Sequence, residues 1–225
     1  VLTGERLAAK AVEKCSLSRA NGFNEIKILH AISHPSVGRF YEAFCNNQTI
    51  MILTEYYYGG GLNSYINRFS RLREDCARTA LYKLLQALLV IQRYHVLHRD
   101  LKNDNIMLKN ADDPTSVVII DFGLSSHLYS KQITMRCGSP GFVAPEVLTD
   151  RPLTDMKSDV FSLGVIFFTM LTGKEPFSAK NNEMTLRRNA KCEVQFTEPV
   201  FDTLSEKCKS MLAWLLQRNP EKKTQ

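Results

Sequence analysis

The chain reads as an α+β protein whose strands come first and whose helices follow, with the change of pattern near residue 58. Two observations predict this. Before that point, Leu7–Val12 and Thr49–Tyr57 are short apolar and β-branched runs of strand character, with a helical segment around Phe23–Ile32 between them. After it, Cys76–His95 carries Ala80, Leu81, Leu84, Leu85, Leu88 and Ile91 at helical spacing, and Asp159–Leu171 is almost wholly apolar. Tyr58-Gly59-Gly60-Gly61 forms the hinge, because consecutive glycines disfavour both helix and strand. The expected division is 1–57, a small β-rich part with its hinge, and 58–225, a larger mainly helical part.

Smaller elements follow from local chemistry. His34-Pro35 closes the first helix, since a proline holds the residue before it in extended backbone. Asn110 to Pro114 reads as a turn, so Ile106–Leu108 and Val117–Ile120 are expected to pair as a hairpin. The second of these strands runs straight into Asp121 and delivers its carboxylate to a strand end.

A chain of 225 residues can bury a substantial core. The longest apolar run, Leu163–Leu171, is interrupted by Gly164 and Thr169 and is far shorter than the roughly 20 residues a membrane span needs. Val1–Lys10 lacks the basic start and apolar middle of a secretory signal, although a chain that does not begin with methionine leaves an upstream segment open. The six cysteines form no Cys-x-x-Cys pair and no set with histidine at metal-ligand spacing. Ordinary reduced cysteines point to a cytoplasmic location, with the nucleus as the alternative. A net charge of +6 does not indicate nucleic acid as a partner, because the basic clusters are only pairs such as Arg187-Arg188 and Lys222-Lys223.

Three motifs occur in order: His98-Arg99-Asp100-Leu101-Lys102-Asn103-Asp104-Asn105, then Asp121-Phe122-Gly123, then Ala144-Pro145-Glu146. Any one could arise by chance; all three in this order could hardly do so. Together with Ala8-Ala9-Lys10 and Cys137-Gly138-Ser139-Pro140-Gly141-Phe142-Val143, they resemble a eukaryotic-type Ser/Thr protein kinase catalytic domain, and in particular the calcium/calmodulin-dependent protein kinase group. The resemblance runs from the strand carrying Lys10 to the helix carrying Trp214.

That resemblance implies the two-lobed kinase fold, ATP and Mg2+ as cofactors, and protein substrates with serine or threonine acceptors. It gives Asp100 the substrate hydroxyl and its proton, Lys102 the charge of the transferring phosphoryl group, and Asn105 and Asp121 the magnesium. Lys10 would hold the nucleotide phosphates while Glu25, fifteen residues on, holds Lys10. Taken alone, a lysine on a strand is most often a solvated side chain. Ala8 and Met107 would sandwich the base, Thr54 would stand at the cleft, and the Glu55 and Tyr57 backbone would meet the adenine edge; core packing explains Ala8 and Met107 equally well. Leu29, Phe40, His98 and Phe122 match the apolar column of an assembled kinase. Asp159 would brace the catalytic loop or, more plainly, start its helix beside Ser158. Ser139 would touch Asp100 and Lys102, and with Lys102 it points to serine and threonine over tyrosine.

The pattern is broken in four places. Val1 to Glu5 corresponds to the turn before the Lys10 strand, so the glycine-rich loop is missing and a truncated domain is expected. Met135 occupies the position where kinases with this arginine often carry a phosphothreonine, with Thr134 and Ser130 close by; independence of that phosphate is expected. Gly61 and Thr169 stand where arginine-directed kinases place acidic residues, leaving only Asp104. Lys223 replaces the arginine that pairs with Glu146 and cannot form its bidentate fork. A regulatory domain or protein outside the chain is a further expected partner. The alternative from another class is a pseudokinase scaffold, which intact Lys10, Asp100, Asn105 and Asp121 disfavour.

Overall fold

The structure, a computed structural model, describes residues 4, 6–13, 16–152, 154–197 and 199–224. Three strands, β1 (Leu7–Glu13), β2 (Phe40–Cys45) and β3 (Thr49–Glu55), form an antiparallel sheet in the order β1-β3-β2. Helix α1 (Ser16–Ala31) packs on it through Ile28 and Leu29, which are buried with Ile32 just beyond the helix and with Ile50 and Ile52 of β3. Register decides what the sheet presents. Ala8 pairs with Thr54 and Lys10 with Ile52, so these four share one face, and a slip of β1 by one residue would turn Ala8 and Lys10 away.

Strand β2 was not among the expected elements. Its pairing shifts between Phe40 and Glu42, and Phe44 and Cys45 are exposed, so no clean alternation marks it in the sequence. The glycine run is a tight passage. A Cβ on Gly59 would lie 2.4 Å from the Leu108 carbonyl, Gly60 has φ +74°, and Gly61 bridges Met107 and leads directly into α2 (Leu62–Phe69). That short helix was also unforeseen.

Beyond it lie α3 (Glu74–Arg93), β4 (Val96–Leu97), β5 (Ile106–Leu108), β6 (Val117–Ile119), β7 (Ser126–His127), α4 (Met156–Thr172), α5 (Asn182–Lys191) and α6 (Glu206–Leu215). The hairpin forms as expected, with Ile106 opposite Ile119 and Leu108 opposite Val117. Helix α4 is apolar all round because it is buried all round, from Phe161 to Leu171. Its N-cap is Asp155, whose carboxylate accepts the N–H groups of Lys157 and Ser158 while the Ser158 hydroxyl accepts the Asp155 N–H, completing a capping box. Asp159 therefore does not start the helix; it is already inside it and is free for another use. Among the described residues no helix is long and apolar enough to cross a membrane.

Asn103 is a weak point in the core. It is fully buried, and neither side-chain amide atom has a hydrogen-bond partner among the described residues. It is also the first residue of a 3-10 turn, and Lys102 before it is extended at φ −153°, ψ 167°, a conformation that a following proline accepts. Asn103→Pro is expected to stabilise the protein by about 1 kcal/mol, raising the melting temperature by about 2–4 °C. Unchanged or lower melting by calorimetry would show that the amide has a partner after all.

Candidate active site

Lys10, Glu25 and Asp121 meet in one cluster. Lys10 Nζ lies 2.8 and 2.9 Å from the Glu25 carboxylate oxygens and 2.6 Å from Asp121 Oδ1. The Glu25 pair was expected; the direct contact with Asp121 was not. Glu25 is 3% exposed, whereas Lys10 and Asp121 are about two-fifths exposed toward the cleft. Burial raises the Glu25 carboxyl above the ordinary range, although Lys10 pulls the other way. Burial opposes charge on Lys10 and Asp121 as well, but their mutual hydrogen bond and attraction, with Glu25 added at Lys10, outweigh it. Lys10 is raised and Asp121 lowered.

Backbone strain holds Asp121 in place. It has φ +63°, and its carboxylate accepts the Gly123 N–H at 3.1 Å. A Cβ at Gly123 would lie 3.0 Å from both Asp121 Oδ1 and Lys10 Nζ. Gly123→Ala is therefore expected to push the ammonium off Asp121 and lower kcat/KM about tenfold, since displacement by a fraction of an ångström is costly here. Wild-type kinetics would show that the cluster accommodates the methyl group. A further tether on α1, not anticipated, comes from Asn24, whose Nδ2 donates to the Ser125 carbonyl at 2.8 Å.

The loop between β4 and β5 is built on Asp159. This carboxylate accepts the His98 N–H at 2.7 Å and the Arg99 N–H at 2.9 Å, bracing a loop whose Arg99 has φ +67°. Complete burial pushes the Asp159 carboxyl upward, opposed by His98 and by these two N–H donors. His98 Nε2 lies 3.1 Å from the Ile120 carbonyl, and its ring meets Phe122 at 5.0 Å between centroids. Leu29 and Phe122 are buried, while Phe40 is only half-buried and packs edge-on against His30.

Asp100 stands in a net of donors. Ser139 Oγ donates to its Oδ1 at 2.7 Å, Lys102 Nζ lies 3.3 Å from its Oδ2 and 3.1 Å from Ser139 Oγ, and Asn105 Nδ2 donates to its carbonyl at 2.8 Å. The Asn105 carbonyl in turn accepts the Ile120 N–H at 2.9 Å, joining this loop to the residue between β6 and Asp121. With Nδ2 committed, Asn105 offers Oδ1. Asp121, with Oδ1 toward Lys10, offers Oδ2. Two hard oxygens are the donor type that magnesium takes. Among the described residues no group of three histidine, cysteine or acidic side chains forms a cation cage.

A cavity of about 270 Å3 opens beside the cluster. Ala8, Lys10, Thr54, Glu55, Tyr57, Met107 and Asp121 all line it, with Glu25, Leu29, Ile52 and Ile120. Every residue expected at the nucleotide is thus in one place. The Tyr57 side chain turns away, its hydroxyl accepting the Arg39 N–H at 3.0 Å, and burial pushes that phenol up to about 12.

The activation-segment expectations divide. Ser139 takes its expected place. Arg99 donates from Nη1 to Ser126 Oγ at 3.2 Å and from Nη2 to the Met135 carbonyl at 3.4 Å, so a hydroxyl and a carbonyl of the segment occupy its two terminal nitrogens, while its buried Nε has no partner among the described residues. Thr169, standing where arginine-directed kinases place an acidic residue, is buried in α4, and its hydroxyl donates to the Val165 carbonyl. Glu175, not singled out from the sequence, instead reaches to 3.3 Å from a Cβ position on Gly141, and burial and the Asp104 charge raise its carboxyl. Asn189 was missed as well. From the last turn of polar α5 it accepts the Gly141 N–H and donates to the Gly141 and Val143 carbonyls, fixing that loop. Glu146 accepts from the Ser158 hydroxyl at 3.1 Å; the Lys223 side chain lies outside the described residues, as do Val1 to Thr3, Glu5 and Cys15.

The family model for the protein kinase domain matches residues 1–225. The chain belongs to the protein kinase family. It is 37% identical over 98% of its length to Probable serine/threonine-protein kinase 2 of Plasmodium falciparum, covering 43% of that protein. It is 36% identical to Serine/threonine-protein kinase ATG1a of Arabidopsis thaliana over 97% of the chain and 36% of the relative. Calcium/calmodulin-dependent protein kinase type 1 of Caenorhabditis briggsae matches at 31% identity over 97% of the chain and 62% of the relative. The chain thus spans less than two thirds of each of these relatives, all named as protein kinases and two of them as serine/threonine-protein kinases.

Proposed function

We propose that this kinase transfers the γ-phosphoryl group of ATP to serine and threonine hydroxyls of protein substrates, with magnesium held by Asn105 and Asp121. The observation that carries the reading is the net around Asp100, in which one carboxylate faces an ammonium and a hydroxyl within hydrogen-bond reach. The acceptor oxygen attacks the γ-phosphorus, the bond to the β-phosphate oxygen breaks, ADP departs, and the acceptor proton passes to Asp100. In a loose transition state the attacking hydroxyl needs positioning more than strong deprotonation. Lys102 neutralises charge on the transferring group, and Lys10, kept cationic by Glu25 and Asp121, meets the α- and β-phosphates. Asn105 and Asp121 would hold the magnesium, which would supply positive charge against the phosphate oxygens.

The test is phosphoryl transfer by the full-length protein to degenerate serine, threonine and tyrosine peptides, with magnesium and with EDTA. Magnesium-dependent labelling of serine and threonine peptides is expected. A correctly folded protein that labels none of them would return the scaffold reading to first place.

The same reading extends to regulation. With Arg99 engaged by Ser126 and Met135, the Lys10–Glu25 pair formed and His98 against Phe122, the assembled arrangement needs no phosphate on the segment. Thr134→Ala is expected to keep activity within about twofold, a change of under about 0.5 kcal/mol. Abolished transfer, with phosphate mapped to Thr134, would sink the idea. The greater length of the relatives supports a regulatory segment or partner outside residues 1–225.

A further inference from the structure

A second pocket, of about 330 Å3, shares no wall with the nucleotide-sized cavity and opens between the loop after α1, helix α3 and the β5–β6 hairpin. Each of these three elements brings one basic side chain to it, His34, Lys83 and Lys109, and the lining contains no aspartate or glutamate. His34 Nδ1 accepts the Ser36 N–H at 3.1 Å, which leaves the neutral ring's proton on Nε2. Lys83 Nζ is held at 2.8 Å by the Thr115 carbonyl and at 3.1 Å by the Thr115 hydroxyl. Lys109 is exposed at the pocket mouth, its backbone fixed by a 2.9 Å bond from its N–H to the Ser116 carbonyl.

These basic groups share the pocket wall with no carboxylate in the lining. Among the described residues no carboxylate pairs with Lys83 or Lys109. Burial and then the Lys109 charge push the His34 imidazole below its ordinary range. Asp113, on the hairpin turn, is held low first by Thr115 and also senses Lys83. The adjoining groove shares His34 and Lys109 and adds His30 and Arg39 together with Glu42 and Glu55. Carboxylates thus stand around the basic cluster but outside its pocket.

We infer that this pocket docks a phosphorylated serine or threonine side chain of a partner protein. Three nitrogen donors from three elements match the three terminal oxygens of a phosphate ester, and a near-dianion answers two lysines better than a carboxylate does. The site is joined to the catalytic framework without touching it: the Ser36 carbonyl accepts the Ile119 N–H at 2.9 Å, and β6 runs on to Asp121.

The experiment follows the His34 ring by NMR during pH titration of the protein, its resonance assigned by loss in His34→Gln. Inorganic phosphate and an acetylated phosphoserine tripeptide are expected to raise the His34 midpoint, because an anion stabilises the imidazolium. Lys109→Met should raise that midpoint in the absence of ligand, by removing a like charge, and should abolish the response to the phosphoserine peptide. The readout is a binding shift and stands apart from phosphoryl transfer. The proposal fails if the phosphoserine peptide leaves the midpoint unmoved, if the response survives Lys109→Met, or if the glutamate counterpart of the peptide acts equally well.

Discussion

Asp100→Asn is expected to lower kcat about 10²–10⁴-fold while leaving the fold and the KM for ATP close to wild type. The two side chains have nearly the same shape, so the loop braced by Asp159 on the His98 and Arg99 N–H groups need not move. The asparagine oxygen can still accept from Ser139, which donates to Asp100 at 2.7 Å. What disappears is a group able to take the acceptor proton, together with the ion pair to Lys102 at 3.3 Å. Asp100 does not line the nucleotide-sized cavity, so binding of ATP should barely register the change. At about 1.4 kcal/mol per tenfold, the loss corresponds to about 3–5 kcal/mol of transition-state stabilisation. Steady-state kinetics with a serine peptide measure it. A fall of less than tenfold would remove Asp100 from the proton's path, and equal transfer by both proteins would point to a contaminating kinase.

How much of this was legible beforehand depended on whether burial left a pattern. Helices α3 and α4 and strands β1 and β3 were readable because each buries a stripe or a whole surface, and the sequence repeats that stripe. Helix α5 was not, since its polar residues face water and its one decisive contact is Asn189, a fully buried asparagine that looks like any other polar residue until Gly141 and Val143 are beside it. Strand β2 was hidden by its bulge and exposed Phe44, and α2 by its start immediately after three glycines. At the site, motifs located Asp100, Lys102, Asn105 and Asp121, and the resemblance located Lys10 and Glu25. What no motif carried was distance across the fold. The Lys10–Asp121 contact spans 111 residues and Asn24–Ser125 spans 101, and only tertiary packing brings such partners together.

Lys10→Met should reduce kcat/KM by about 10²–10³-fold, the usual cost of removing one positioned cationic donor from a phosphoryl-transfer site, and it should also rearrange the ionisation of its neighbours. In the wild type, burial drives the Glu25 carboxyl upward and Lys10 restrains it. With a methionine in place, burial and then the Asp121 charge push upward against only the Phe122 N–H, so Glu25 climbs further and takes up a proton closer to neutrality. Neutralisation limits the damage to the fold, because the buried group sheds the charge that would otherwise stand unpaired. The pH dependence of stability separates the two carboxylates. Asp121 is depressed in the folded wild type, so its contribution is present above its ordinary value of 3.8 and is lost as pH falls through the folded value. Lys10 is raised, so its contribution holds below 10.5 and is lost as pH rises through the folded value. Glu25, raised, has the opposite acid-side sign to Asp121: the folded state keeps its proton longer, and stability declines as pH rises from 4.5 through the folded value. Lys10→Met should therefore abolish the alkaline loss belonging to this cluster and extend the Glu25 decline toward neutral pH. Denaturation midpoints measured across pH for wild type, Lys10→Met and Lys10→Met/Glu25→Gln would reveal it. If the double variant keeps the decline seen in Lys10→Met, Glu25 is not the group that titrates, and the cluster owes its geometry to packing around α1 rather than to its charges.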